Sequence, residues 1–499
     1  MTRRWKTVTR RLWRLAIVSG GLLLLLLIIR IYEAERGPEL HRWHTWIPHE
    51  LTVEQLDNAT YADYLKAENH LFDEIKQQVS DRLDAEEKTP LNRYYAGSMI
   101  FPGHFAQDWN RSYILQPTGR PRGAVVLLHG LTDSPYSLRH VADAYRQQGY
   151  VAVAIRLPGH GTVPSGLTDV DWQDWMAATR LAVREATRQA GTQTPLHLVS
   201  FSNGGALAVK YALDSLGDNT LRRPQQLILL SPMIGVTRFA RFAGVAGVPS
   251  VFPAFSKTAW LNIVPEFNPF KYNSFPVHAA RQTYLLTQAL QKEILQYARN
   301  QQLSGFPPVL TFQSVMDSTV STPSVIRSLY NYLPVNGSEL VLFDINQAVS
   351  VSPLFRHSSY TAVNQLLPAA RRNYSSTVIT NASGTSLEML TKSVPAGEMQ
   401  ERIQPLSNAY PAGLYSLSHV AIPFPVEDGL YGSAPAQKNE FGISFGTLSL
   451  RGESSVLIVG LDSIMRATSN PFYPYMINRI DHHISCSDKP QLAACLSSF

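Results

Sequence analysis

The sequence predicts an α/β fold, in which a mostly parallel sheet is covered by helices on both faces. Two observations indicate this class. From about residue 124 onward, short apolar runs of strand length alternate with helical stretches, and parallel strands require a crossover that is usually a helix. The chain also has 499 residues, 44% of them hydrophobic and 16% charged, which suits a large globular core with insertions.

The individual elements follow from these runs, because continuous apolar segments of about 4–8 residues are typical of strands buried on both faces. The expected strands are Ala124–Leu128, Val151–Ile155, Leu196–Val199, Leu227–Leu230, Val309–Phe312, Glu339–Phe343 and Val456–Val459. The helices expected between and after them span 138–148, 171–189, 203–213, 323–332 and 471–484.

Two long stretches interrupt this alternation, at about 235–305 and 346–410. The first is rich in aromatic and small residues and is expected to be a cap inserted into the fold. The second is expected to be an irregular insertion, since structureless loops of such length are rare inside compact domains. The expected domains are a basic N-terminus and anchor at 1–32, a helical juxtamembrane segment at 33–95, an α/β domain at 96–484 that contains both insertions, and a C-terminal tail at 485–499.

The N-terminus is expected to anchor the chain in a membrane by a single transmembrane helix. The apolar run Leu15–Ile29 follows six basic residues and is shorter than the ~20 residues that usually span a bilayer. The longer stretch Leu12–Tyr32 suffices when the arginines at its ends extend to the interface. The basic flank predicts a cytoplasmic N-terminus and an exported body, facing the periplasm from a bacterial inner membrane. A cleaved signal peptide is the alternative, although Tyr32–Arg36 is a poor cleavage site.

The positive charge of the chain is concentrated at this N-terminus. The formal net charge is +6, but seven of the 44 lysines and arginines lie in residues 1–30, which contain no acid, so the remainder carries 37 basic and 38 acidic residues. This balance gives no support for nucleic-acid binding by the body. Both cysteines, Cys486 and Cys495, lie in the tail, where export permits a disulfide without requiring one.

One serine lies where a buried strand is expected to meet a helix. The segment Ser200–Gly205, with sequence SFSNGG, directly follows the strand expected at 196–199. A serine on such a sharp turn is pushed out above the sheet, where a base reaches its Oγ, and the crowded turn demands small neighbours. Ser202 is therefore the expected nucleophile. The structural alternative is an N-capping serine followed by glycines that allow close packing.

The loop after the first buried strand, His129–Thr132 with sequence HGLT, supplies a second part of the expected site. A tetrahedral intermediate needs two N–H donors aimed at its oxyanion. One is expected from Asn203, the residue after the nucleophile, and the other from this loop, with Leu131 as the candidate. His129 precedes the serine, whereas the base of this arrangement follows it, so His129 is expected to brace the loop.

These motifs resemble one known family. The stretch LLHGLTDSPYSLRHVADAYRQQGYVAVAIRLPGHG, followed by SFSNGG, is similar to the bacterial carboxylesterase and monoacylglycerol lipase-like branch of the α/β hydrolases, which also includes the serine aminopeptidases. The resemblance covers Gly123–Pro232 well and 307–345 moderately. It implies an α/β-hydrolase fold with a cap insertion. It also makes Pro158–Gly161 a structural turn, so His160 is not expected to be the base.

The resemblance further implies where the acid and the base lie. Asp317 follows the strand expected at 309–312, the position of the family's acid, where it orients the imidazole of the base. The family's histidine follows the next strand, and His419 is expected because a small polar residue precedes it and an apolar loop follows it. The remaining candidates are Asp344 for the acid, His357 for the base, and the pair His482-His483, which is expected at the surface.

Together these features imply a serine hydrolase that cleaves acyl esters through an acyl-enzyme. Aromatic and apolar residues in the cap favour a small hydrophobic, lipid-derived ester as the substrate; they are Phe239, Phe242, Val248, Phe252, Phe255, Trp260 and Phe267. Two alternatives stay open: a serine aminopeptidase-like peptidase with Glu427-Asp428 as its acidic anchor, and a non-catalytic binding protein. The sequence contains no HExxH, CxxC or phosphate-loop motif, so we expect the protein to use no metal and no cofactor. The oligomeric state stays open.

Overall fold

The computed structural model describes residues 2–235, 247–317, 319–348, 361–411, 414–446, 468–489 and 491–496. The strands in these ranges are β1 (Tyr113–Leu115), β2 (Gly123–Leu128), β3 (Tyr150–Ala154), β4 (Leu196–Phe201), β5 (Gln226–Leu230), β6 (Trp260–Asn262), β7 (Phe275–Pro276), β8 (Val309–Ser314), β9 (Glu339–Phe343), β10 (Ser375–Asn381), β11 (Met389–Val394) and β12 (Arg402–Leu406). The helices are α1 (Thr2–Glu35), α2 (Arg42–Thr45), α3 (Val53–Asn58), α4 (Tyr61–Gln78), α5 (Arg139–Gln147), α6 (Trp172–Ala190), α7 (Asn203–Gly217), α8 (Val277–Arg299), α9 (Thr322–Ser328), α10 (Ala362–Leu366), α11 (Tyr473–Cys486) and α12 (Leu492–Leu496).

Ten of the described strands form one sheet, in the order β1-β3-β2-β4-β5-β8-β9-β10-β11-β12, while β6 and β7 pair separately. The strands from β3 to β10 in this order run parallel. At the two edges, β1, β11 and β12 pair antiparallel with their neighbours. This mostly parallel sheet with covering helices confirms the predicted fold class.

Two cores lie on the two faces of the sheet. Successive residues of a strand point to opposite faces, so Val126 and Leu128 of β2 pack in one core with α6, α7 and α8. Val125 and Leu127 pack in the other core with α5 and α11. The sheet is therefore buried on both faces, and the loops that leave the carboxyl ends of its parallel strands meet along one edge. Ligands of open α/β sheets bind at this edge.

The stretch at 346–410 is not the irregular insertion that the sequence predicts, because β10, β11 and β12 lie within it and extend the sheet. Val378 of β10 lies opposite Leu342 of β9 in a parallel pair. The prediction is wrong here because these strands mix polar with apolar residues, as in SSTVITN, and so lack the continuous apolar run of a central strand. The strand expected at Val456–Val459 lies outside the described residues.

The segment 33–95, predicted to lie next to the membrane, packs against the body through a buried charge network. The guanidinium of Arg156 lies 2.6 Å from Glu50 and 3.0 Å from Glu68, and all three side chains are at most 8% exposed. The hydroxyl of Tyr64 in α4 donates to the carbonyl oxygen of Arg156 at 2.5 Å. A buried arginine that satisfies two carboxylates is costly to separate, so these residues hold the segment to the turn that follows β3.

The C-terminal tail is joined to α11 by a disulfide between Cys486 and Cys495, whose Cα atoms lie 5.7 Å apart. The expectation that His483 lies at the surface is wrong, since this residue is 1% exposed. Its Nδ1 lies 3.0 Å from Oε1 of Gln226 in β5. His483 is buried because it lies on the face of α11 that packs against the sheet.

The first helix, α1, is long and apolar enough to cross a membrane by its length and composition. The stretch Arg10–Glu35 reaches a mean hydropathy of 2.4, and none of that apolar window is buried. A signal sequence near an N-terminus has the same character, so α1 is compatible with either role.

Candidate active site

Ser202 lies on a strained turn between β4 and α7. Its backbone has φ 53° and ψ −118°, outside the regions that L-residues favour. Three backbone hydrogen bonds hold this conformation: the amide of Ser202 donates to Leu230, and its carbonyl accepts from Gly205 and Met233, all at 2.9–3.0 Å. Strain fixed in this way is the geometry of a nucleophile elbow.

The small residues around Ser202 are required by close packing. A Cβ on Gly204 would lie against the carbonyl oxygen of Leu128 at the end of β2, far inside contact distance. A Cβ on Gly130 would lie 3.1 Å from the Cβ of Ser202. The loop after β2 therefore runs directly beside the serine.

Asp317 and His419 are brought together from loops 102 residues apart. The Nδ1 of His419 lies 2.9 Å from Oδ2 of Asp317. The imidazole is 7% exposed and the carboxylate is fully buried. A neutral ring that donates from Nδ1 presents a lone pair at Nε2, which is the form that a general base needs.

The carboxylate of Asp317 is held by three further donors. The amides of Thr319 and Val320 donate to its Oδ1 at 2.8 and 3.0 Å, and Nε2 of Gln313 donates to Oδ2 at 3.0 Å. Burial raises the pKa of Asp317, but His419 and these backbone amides outweigh burial, so the pKa is lowered below its usual value. The carboxylate therefore stays ionised at neutral pH.

The imidazole of His419 lies against the strand that leads into Ser202. The ring of Phe201, the last residue of β4, stacks on it with centroids 5.1 Å apart and planes 30° apart. His419 is 6% exposed. Because Phe201 directly precedes Ser202, this stacking places the Asp317–His419 pair at the elbow.

Two backbone amides near Ser202 are suited to bind an oxyanion. Asn203 is the first residue of α7, and amides in a first helical turn have no acceptor within the helix. Within the described ranges, neither the amide of Asn203 nor that of Leu131 donates to a backbone carbonyl. Leu131 adjoins Gly130, which contacts the serine. The positive end of α7 adds to this preference for negative charge.

The two histidines of the motif loops, His129 and His160, form contacts with backbone atoms. His129 accepts from the amide of Leu157 through Nε2 at 3.0 Å, and its Nδ1 lies 2.9 Å from the carbonyl of Gly130. Burial lowers the pKa of His129 well below its ordinary value. His160 contacts the carbonyl of Pro158 through Nδ1, and burial lowers its pKa to about 4. Both therefore brace loops in their neutral forms.

The alternative residues do not join this cluster. The carboxylate of Asp344 accepts from the amide of Ile345 and the hydroxyl of Thr380 at 2.8 and 2.9 Å, and no histidine of the described ranges lies among its partners. His357 lies outside the described residues. Gln313 is not among the residues that the sequence identifies; the available signal was a glutamine inside the fully buried strand β8.

A metal ion has one candidate position in the part of the chain that the structure describes. His482, Cys486 and Cys495 offer ligand atoms within 4.8 Å of one another. The two cysteines are joined in a disulfide, however, and a disulfide cannot supply the thiolates that bind a metal. These residues therefore do not fit a metal site.

Comparison with known proteins finds a similarity to one family over part of the chain. Residues 119–336 match the family described as "Serine aminopeptidase, S33". The thermostable monoacylglycerol lipase of Bacillus sp. (strain H-257) is 32% identical over 88 residues, which make up 18% of this chain and 34% of that lipase. The chain thus spans about a third of the length of this curated relative.

Solved structures with similar chains include lipases and esterases. One belongs to "LipS and LipT, two metagenome-derived lipolytic enzymes", with 20% identity, a TM-score of 0.38, and coverage of 52% of this chain and 97% of the other. The monoacylglycerol lipase of Paleococcus ferrophilus has 18% identity, a TM-score of 0.35, and coverage of 51% and 98%. The sheet topology is that of an α/β fold, and residues 119–336 of this fold are similar to the family described as "Serine aminopeptidase, S33".

Proposed function

We propose that the chain is a membrane-anchored serine hydrolase that cleaves carboxylic esters, with Ser202, His419 and Asp317 as its triad. The observation that carries the proposal is the 2.9 Å contact between His419 Nδ1 and Asp317 Oδ2, beside a serine held at φ 53°. A serine, an orientable base and a buried acid on adjacent loops are the parts that acyl transfer requires.

In the proposed reaction, Nε2 of His419 accepts the proton of Ser202 Oγ as this oxygen attacks the acyl carbonyl. The amides of Leu131 and Asn203 donate to the oxyanion of the tetrahedral intermediate. His419 then protonates the leaving alcohol, which departs and leaves the acyl group on Ser202. A water molecule, deprotonated by His419, attacks this acyl-enzyme and releases the carboxylic acid. Asp317 stays ionised and stabilises the imidazolium.

The substrate we favour is a lipid-derived ester with an apolar acyl group. Residues of the cap pack onto the segment that follows β2: the rings of Tyr136 and Phe270 stack with centroids 4.3 Å apart, and the backbone amide of Tyr272 donates to the carbonyl of Thr132 at 2.7 Å. Apolar walls around a few polar groups suit such a ligand. The similarity of 88 residues to the monoacylglycerol lipase of Bacillus sp. (strain H-257) supports the same class. The cap residues Phe239 and Phe242 lie outside the described residues.

An aminopeptidase-like activity is less well supported, because it needs a free carboxylate to hold the substrate's amino group. Glu427 is exposed. Asp428 is buried and already accepts five hydrogen bonds. The donors are the side chains of Tyr136, Arg139 and His140 and the amides of Leu430 and Tyr431. Such a carboxylate holds loops together and offers no lone pair to a substrate.

Anchoring by α1 completes the proposal. The basic residues before its apolar run favour a cytoplasmic N-terminus and an exported hydrolase domain, which in a bacterium faces the periplasm. The disulfide in the tail supports an oxidising compartment, because disulfides persist in exported proteins.

The substrate class is tested with the purified full-length chain in detergent. Hydrolysis of p-nitrophenyl butyrate and octanoate is compared with that of aminoacyl p-nitroanilides, for wild type and for Ser202→Ala. We expect ester turnover by wild type that falls to the level of the uncatalysed reaction in the variant. Anilide turnover that exceeds ester turnover selects the peptidase. The absence of any turnover, together with wild-type folding, selects the binding protein.

A further inference from the structure

The last turns of α1 pack against the cap rather than standing free of it. One face of this otherwise exposed helix is covered, since Leu27, Arg30 and Ile31 are partly buried and Ala34 is buried. These positions have the three- and four-residue spacing of a helical face. The segment Pro253–Ala259 lies against them. The length of α1 covered in this way, from residue 27 to residue 34, is about 10 Å at 1.5 Å per residue.

Two polar contacts fix this packing. The guanidinium of Arg30 donates to the carbonyl of Trp260. The ammonium of Lys257 donates to the carbonyls of Gly37 and Glu35, at 3.3 and 3.5 Å, just past the end of α1. A cation at a helix C-terminus is favourable. The cap therefore contacts α1 through these polar groups as well as through the covered face of the helix.

The cap carries large apolar side chains that are exposed beside this contact. Phe252 is 62% exposed and Leu261 is 43% exposed, and they immediately flank the segment packed on α1. Leu27, the residue of this contact nearest the N-terminus, belongs to the apolar run of α1. A bilayer that surrounds this run therefore begins at the level of the cap segment.

We propose that residues 252–261, the docking turn, rest on the outer surface of the bilayer that α1 crosses, with Phe252 and Leu261 inserted among the lipids. This inference rests on the proposed membrane anchor. We infer that lipid covers Phe252 and Leu261 because these side chains lie beside α1 and extend the surface that α1 presents to the bilayer. The basic residues Arg30 and Lys257 lie at the same level, where cations and aromatic rings favour the headgroup region.

The docking turn is also connected to the site. Trp260 of β6 pairs with Pro276 of β7, and within the loop between these strands Tyr272 donates to Thr132, next to Leu131. The docking turn and the loop beside Ser202 are therefore linked by about a dozen residues along the chain.

The test uses fluorescence quenching in the full-length chain, reconstituted in vesicles of phosphatidylethanolamine and phosphatidylglycerol. Both native cysteines are in the disulfide, and the described residues contain no free cysteine, so one introduced thiol gives one labelled position. A bimane label is placed in separate variants: Phe252→Cys, Leu261→Cys, Leu24→Cys within α1, and Val335→Cys. Val335 is 73% exposed and precedes β9, at the opposite end of the parallel strands from the cap, and so serves as the matched control. Nitroxide-labelled lipid is the quencher.

We expect several-fold quenching at positions 24, 252 and 261 and none at 335. Quenching at 24 with positions 252 and 261 behaving like 335 overturns the docking turn while leaving the anchor intact. An unquenched label at 24 overturns the anchor, and with it this inference. Thermal unfolding of each labelled protein at the wild-type midpoint verifies that the label has not disturbed the fold, and having two exposed positions keeps the test decisive should one variant misfold.

Discussion

Replacing Asp428 distinguishes a structural carboxylate from a substrate anchor. Its carboxylate is fully buried and lies 2.5 Å from the guanidinium of Arg139, whose side chain is 8% exposed. Asp428→Asn keeps the shape but turns one acceptor oxygen into a donor that faces Arg139 and His140. Removal of one partner from a buried ion pair costs about 3–5 kcal/mol, because the other charge is left uncompensated. We therefore expect a loss of about 3 kcal/mol for Asp428→Asn and up to about 5 kcal/mol for Asp428→Ala.

The pH dependence of this loss has a definite sign. Burial raises the pKa of Asp428, but Arg139 and His140 outweigh burial, so the folded-state pKa is lowered far below the usual value. A lowered pKa stabilises the fold above the unfolded-state pKa of about 4. This stabilisation is lost as the pH falls toward the folded-state pKa. The difference in unfolding free energy between wild type and Asp428→Asn should therefore be constant from pH 6 to 8 and shrink below about pH 4.

The assay is urea unfolding of the full-length chain in detergent, followed by tryptophan fluorescence. Asp143→Asn is the matched control, since Asp143 lies in the same helix as Arg139 but its side chain is 45% exposed, and exposed pairs contribute about 0–1 kcal/mol. Unchanged stability of Asp428→Asn, combined with an increased KM for substrates that carry a free amino group, would refute the structural role and favour the peptidase.

Three further predictions follow from single contacts. Asp317→Asn should lower kcat by about 10⁴-fold, because the imidazole of His419 loses its orienting carboxylate, and should leave the unfolding midpoint nearly unchanged. Asp344→Asn should retain activity. Comparable losses of kcat in both variants would contradict the assignment of Asp317 as the acid. Gly204→Ala should destabilise the protein by about 3 kcal/mol or more, since its Cβ meets a backbone carbonyl, whereas Gly384→Ala, whose Cβ meets only a glutamine oxygen at 3.9 Å, should unfold like wild type. Reduction of Cys486–Cys495, which closes a loop of nine residues, should cost about 2–3 kcal/mol, measured by urea unfolding with and without dithiothreitol.

The parts of the fold that the sequence predicts well are those whose signal is local. Strands β2 to β5, β8 and β9 are buried along their whole length, and apolar residues make up half or more of each of them. The turn at Ser202 is also local, because strand, serine, glycines and helix are consecutive. Edge strands carry a weaker signal: β12 is exposed at four of its five residues, and its sequence resembles a loop.

Pairings between distant residues are beyond the reach of such patterns. The sequence names Asp317 and His419 as candidates through resemblance, but their contact depends on how loops 102 residues apart fold back. The bond from Arg139 to Asp428 joins residues 289 apart. Neither spacing nor periodicity marks Asp428 as the residue that holds the loop after His419 to α5. Only the packing of that loop against α5 identifies this role of Asp428.

Labelling by a fluorophosphonate probe tests the assignment of Ser202 most directly. We expect one covalent adduct per wild-type chain, mapped by mass spectrometry to the peptide that contains Ser202. We expect no adduct on Ser202→Ala and a normal adduct on Ser200→Ala, since the Ser200 hydroxyl is buried and faces the carbonyl of Ile228. An unlabelled wild-type protein, or equal labelling of Ser202→Ala, would contradict the assignment of Ser202 as the nucleophile.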